Sequence, residues 1–127
     1  MKLAADVASL EAYFGVPAKF AYGEVDPYQN CLTFETEIGQ DRIWFELIPF
    51  RDHAQLRWVG SPFRVFNLSF SNIKYLGIRK TKEDHRMLIQ FSDVSLSDFK
   101  MWLRPHILTF WGNAGVHDDD ESPLEAA

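Results

Sequence analysis

Four histidines, one cysteine and a scatter of carboxylates are the side chains in this sequence that could do chemistry. Their spacing limits what they can do. His53, His85, His106 and His117 include no i, i+4 pair, so no helix face offers the two imidazoles of a zinc hydrolase. Cys31 stands alone, which removes any Cys-pair zinc site. His117 and the "DDDE" run after it could gather a hard cation, but they lack the turn glycine and closing glutamate that preorganise a calcium loop. Glu83, Asp84 and His85 set two acids beside a base. On a charged connection, however, consecutive residues lack the rigid shell that holds a general base in reach of a substrate. Cys31 opens a strand with no basic neighbour in sequence to stabilise a thiolate, so an inert, half-buried thiol is expected. Seven glycines form no phosphate-cradling loop, dinucleotide fingerprint or Gly-x-Ser-x-Gly elbow. The sequence therefore assigns no catalytic residue, no cofactor and no metal. An enzyme would have to assemble dispersed residues, such as His53 or His106 with distant acids, and ranks last.

What remains is surface. Glu35 and Glu37, with Glu24 and Asp26 upstream, would form an acidic margin beside the first strand if that strand lies near a sheet edge. Such rows commonly keep edges solvated and unaggregated. The sharper reading is a patch for a basic protein, with Trp44 and Trp58 as exposed anchors. The formal net charge of −5 and pI near 5.3 suit that partner and count against a nucleic-acid-binding module.

The elements that must position these residues are mostly strands. Leu3, Val7, Leu10 and Phe14 recur at helical spacing, and Gly15 and Pro17 supply the stop. In "CLTFETEI" Leu32, Phe34 and Ile38 alternate with polar residues, "GQD" is hairpin-sized, and "RIWFELIPF" is apolar on both faces, as a central strand would be. Pairing should weaken at Pro49, which has no N–H to donate. "HAQLRWV" alternates again, and Phe66, Leu68 and Phe70 mark a further strand. Phe70-Ser71-Asn72-Ile73 is echoed by Phe91-Ser92-Asp93-Val94, which reads as one way of turning a strand used twice. "RKTKEDH" reads as a hairpin tip and "MLIQF" as the next strand. In "SLSDFKMWLRP", Ser95 and Asp98 imitate a capping box, which favours a short helix or irregular turn before Pro105. "HILTFW" is the last strand.

At 127 residues the chain fits one domain, and 15% aromatic content, with 11 Phe, points to strands around a bulky core. The expected fold is α+β and β-dominated: an N-terminal helix packed on a mostly antiparallel, curved meander sheet of about six to seven strands. Residues 1–115 are expected to form the domain, and 116–127 a flexible acidic tail. The lone cysteine fits a reducing compartment. Asp6 and Glu11 interrupt any signal-peptide core, and no apolar stretch reaches bilayer length, so a cytoplasmic protein without membrane contact is expected.

The segment from about Asn30 to Phe91 resembles small bacterial immunity proteins that neutralise toxins, in particular the immunity protein 50 group. The resemblance rests on "LTFETEI", the tryptophan-bearing strands and the "NLSFSNIKYLGI" unit, and covers about half of the chain. It implies an inhibitor that covers a toxin's active site or substrate channel and performs no reaction. An acidic inhibitor would suit a basic nuclease toxin, because carboxylates can take the place of phosphates. No individual residue carries across. The leading expectation is a non-enzymatic protein-binding domain of this kind. The alternative is a small-molecule-binding domain, in which the sheet and first helix enclose an aromatic-lined pocket.

Overall fold

The computed structural model describes residues 1–23, 26–60, 62 and 64–111. Among these described residues ten strands form two five-stranded sheets. The front sheet runs β2 (Lys19–Phe20), β3 (Leu32–Ile38), β4 (Asp41–Ile48), β5 (His53–Gly60), β6 (Arg64–Phe70) in sequence order. The back sheet has the order β1 (Lys2–Leu3), β7 (Ile73–Lys80), β8 (His85–Phe91), β9 (Phe99–Trp102), β10 (Leu108–Trp111). All pairings are antiparallel except β1 with β7. The fold is α+β and β-dominated, as the periodicity predicts, with the strands divided between two sheets. β1 and β2 have two residues each, too few for alternation to register.

The helix, α1 (Val7–Phe14), starts where Asp6 accepts the Ser9 N–H at 2.8 Å and stops at Gly15, which takes φ 76°. The expected apolar stripe began at Leu3. That residue instead pairs with Leu76 in β1, because the Asp6 cap fixes a later start. Leu10, Tyr13 and Phe14 are buried against β3 of one sheet and β7 of the other. Phe14 stacks on Phe34 at 4.7 Å and Phe45 at 5.4 Å, so the helix closes one side of the sandwich with rings. Arg104 holds it there, donating to the carbonyls of Tyr13 at 2.9 Å and Phe14 at 3.4 Å. On the other side Phe70 packs against Phe91, Phe99 and Trp111, joining β6 to the end of β10.

The echoed motif lies at the junction of the sheets. Phe70 ends β6 in the front sheet, Asn72 takes φ 56°, and Ile73 begins β7 in the back sheet. The second copy is its neighbour: Phe91 pairs with Ile73, and the Ser92 N–H reaches the Asn72 carbonyl at 2.9 Å. There the strand ends in a turn and Val94 is exposed. One correction falls in "SLSDFKMWLRP", which holds no helix. Asp93 captures the Ser95 N–H and hydroxyl in a local turn, and Asp98 accepts from Gln90 on the neighbouring strand at 3.1 Å. With its would-be capping residues spent, the chain extends into β9, burying Phe99 and Met101.

Candidate functional site

Two-sided strands leave the front sheet with an outward face that α1 and the back sheet do not cover. The turn at Gly39 and Gln40, with Gly39 at φ 62°, sets Ile38 opposite Asp41 and so fixes the register of everything beyond. Glu35, Trp44, Arg57 and Asn67 then stand in one row across β3, β4, β5 and β6. The next row begins Glu37, Arg42, Val59. These side chains line a groove of about 1050 Å³, open across the sheet, with Trp44 half-buried in its floor.

Carboxylates occupy the β3 side and guanidinium groups lie beyond them. Glu37 pairs with Arg42 at 3.6 Å, and Glu35 with Lys19 at 3.8 Å, all four side chains being well exposed. Exposed pairs of this kind contribute about 0.2–1 kcal/mol, so exchanging them for a partner's charges costs the fold little. β2 pairs only with Leu32 and Thr33. From Phe34 to Ile38, β3 therefore has β4 as its sole strand neighbour among the described residues, and the two glutamates do flank an edge.

The other sequence-derived candidates go elsewhere. Trp58 points to the opposite face of the front sheet, donating to Asp41 at 3.2 Å with its ring 5.9 Å from Phe66. Asp26 caps the 3-10 turn Pro27–Gln29, near the turn Pro49–Arg51, at the end of the sheet away from Glu37. Glu24 lies outside the described residues. Arg42, Arg57 and Asn67 escaped the sequence reading. The two-residue turn at 39–40, extended strand by strand, is the signal that places them beside Trp44.

Among the described residues the histidines and Cys31 stand apart from one another, and His117 with the acidic run after it lies outside the described residues. His53 lies near Ser71 and Ser69 on the front sheet, His85 packs edge-on against Tyr13, and His106 is exposed. Burial, then the nearby Lys80 and Arg104 charges, hold His85 below its ordinary range. Asp84 is taken up by Trp102 Nε1 at 2.7 Å and Arg86 at 3.6 Å, so it is no proton relay for His85. The Cys31 thiol is pushed up to about 11 by burial and then by Glu46, the reverse of activation. Among the described residues no group of three His, Cys, Asp or Glu side chains could hold a metal ion. No helix among them is long and apolar enough to cross a membrane.

No protein-family model matches the sequence, and no curated protein matches it. Among solved structures, a chain of a contact-dependent growth inhibition toxin–immunity protein complex from Klebsiella pneumoniae 342 superposes with a TM-score of 0.66. The match covers 85% of this chain and 93% of that one. The fold is shared with a toxin–immunity complex. At 11% identity it is the fold alone that is shared. The resemblance to immunity proteins read from the strands holds at that level, over far more of the chain than Asn30 to Phe91.

Proposed function

We propose that this chain is the immunity member of a toxin–immunity pair: a non-catalytic, cytoplasmic bacterial protein that neutralises a toxin domain by covering its active site. The observation that carries the reading is the fold likeness, over 85% of this chain, to a chain of such a complex. The outward groove of the front sheet supplies the docking face. Trp44 is the anchor, with Glu35 and Glu37 meeting basic side chains of the toxin and Arg57 fixing orientation from the other side. Trp58 and Asp26 support the face from outside it, as a packed ring and a turn cap.

The aromatic excess that favours a small-molecule pocket is largely accounted for by packing: Phe14, Phe34, Phe45, Phe70, Phe91 and Phe99 are buried in the shared core. The groove is as large as the upper end of small-ligand pockets, about 1,000 Å³, but charged along both sides, which suits a protein element better.

A tagged chain co-expressed with the product of the adjacent gene should retain it through purification. Trp44→Ala should weaken that complex by about 30-fold or more, the loss of one central anchor at about 2 kcal/mol. A neighbouring gene without toxin character, and no protein retained, would overturn the assignment. Retention unaffected by Trp44→Ala would move the docking face elsewhere.

A further inference from the structure

The sheet edges of this fold are not protected alike. β1 and β2 have two residues each, and the uncovered stretch of β3 carries Glu35 and Glu37. Short strands and charged side chains are two of the devices that keep an edge from pairing with another chain. β6 has neither. Arg64–Phe70 is seven residues long, with one charge at its first position, no proline and an unbroken register against β5. Among the described residues β5 is its only strand neighbour.

The Ala21 N–H donates to the Cys31 carbonyl at 3.0 Å, so alternate residues from Cys31 along β3 turn their peptide groups toward β2. The registers from β3 through β4 and β5 to β6 are continuous. Carried across them, the alternation turns Arg64, Phe66, Leu68 and Phe70 toward β5. It leaves the N–H and C=O of Val65, Asn67 and Ser69 facing away from β5. The side chains point the same way. Val65 and Phe66 are 53% and 54% exposed, yet as consecutive residues they stand on opposite faces of the sheet. No body lying on one face covers both; a strand added at the edge does.

We propose that β6 is a dimer edge, pairing antiparallel with β6 of a second copy of this chain about a two-fold axis at Asn67. The strand is self-complementary in that register. Val65 lies opposite the second copy's Ser69 and Asn67 opposite its own equivalent, so every outward peptide group of Val65, Asn67 and Ser69 finds a partner. Phe66 meets the second copy's Leu68 on the inner face, extending the apolar contact it has with Trp58 at 5.9 Å. Arg64 stands opposite the second copy's Phe70, so no like charges oppose one another. The two front sheets join into one, through an isologous contact. The edge is about 24 Å long and smaller than a standard interface, which sets a reversible, micromolar association. Trp44 stays open on both copies, so the proposal does not rest on the toxin reading.

Sedimentation of the full chain between about 1 and 300 μM should show the mass rise from one chain to two, the span over which a micromolar contact fills. Asn67→Pro removes an N–H that faces away from β5, where an edge strand tolerates proline, and should hold the chain at one copy throughout. A second pair of variants leaves the backbone intact. Asn67→Lys and Asn67→Asp each set like charges across the axis and should weaken the dimer about fivefold; mixed together, they should restore it as a heterodimer. In a Cys31→Ser background, Asn67→Cys should close a symmetric disulfide on mild oxidation, since paired Cα atoms stand about 5.5 Å apart there. Glu37→Cys, on the opposite side of the front sheet, should not. A chain that stays single at about 300 μM would overturn the proposal. So would a dimer indifferent to both charges, one that mixing fails to restore, or one cross-linked through position 37 in place of 67.

Discussion

The two sheets share one core and differ on their outer faces. Inward, both present the same chemistry, rings and aliphatic groups at near-zero exposure, because close packing leaves no other choice. Outward, the front sheet sets acids and bases side by side around one half-buried tryptophan, whereas the back sheet lays cations over rings and shuts two apolar residues beneath them. Burial dictates the inner faces. The outer faces are free to vary, and their difference is where partner choice can be written.

That contrast is sharpest for two rings on opposite sides of one strand pair. Phe14→Ala empties the space between Phe34 and Phe45 and should cost about 3–5 kcal/mol, read as a lower urea midpoint. Trp44→Ala, on the outer face, should shift the same midpoint by less than about 1 kcal/mol while weakening the proposed complex. Equal effects would erase the distinction between core and docking face. A smaller effect is expected at the helix stop. A Cβ on Gly15 would stand 2.6 Å from Arg104 Nη2, at φ 76°, so Gly15→Ala should lose about 1–2 kcal/mol through backbone strain and a displaced guanidinium cap.

The His85 part of a pH titration probes the back sheet. Burial holds the His85 pKa below its ordinary value in the fold, so the unfolded chain takes up its proton first as pH falls. The stability tied to this group is fully present above about pH 6.5 and lost as pH drops through the lower folded value. His85→Gln should flatten that part of the stability profile, measured by urea unfolding between pH 7.5 and 5 or so. The smallest effect belongs to the groove rim. Glu37→Gln breaks an exposed pair with Arg42 and should change stability by less than about 0.5 kcal/mol. Any larger loss would mean the rim is structural and the front face less adaptable than its exposure implies.

Much of the front sheet was legible from sequence, because β3, β4, β5 and β6 follow one another through short turns and alternate cleanly. "GQD" alone fixes that Glu35 faces Trp44. What no single strand records is which face of one strand matches which face of another three positions along the sheet. Trp44 and Trp58 therefore read as equivalent until register separates them. The back sheet was harder. β1 finds its partner far along the chain, and β9 follows a Ser-x-x-Asp that imitates a helix start until Gln90, brought alongside by β8, claims Asp98. Local propensity lost there to a tertiary hydrogen bond.

The parallel pairing of β1 with β7 imposes an order on folding. The front sheet consists of neighbours in sequence and can pair hairpin by hairpin as the ribosome delivers it. Lys2 and Leu3 emerge before β7, yet must wait for Tyr75 and Leu76 before they have a ladder to join. Until then these residues remain available to other strands and to chaperones.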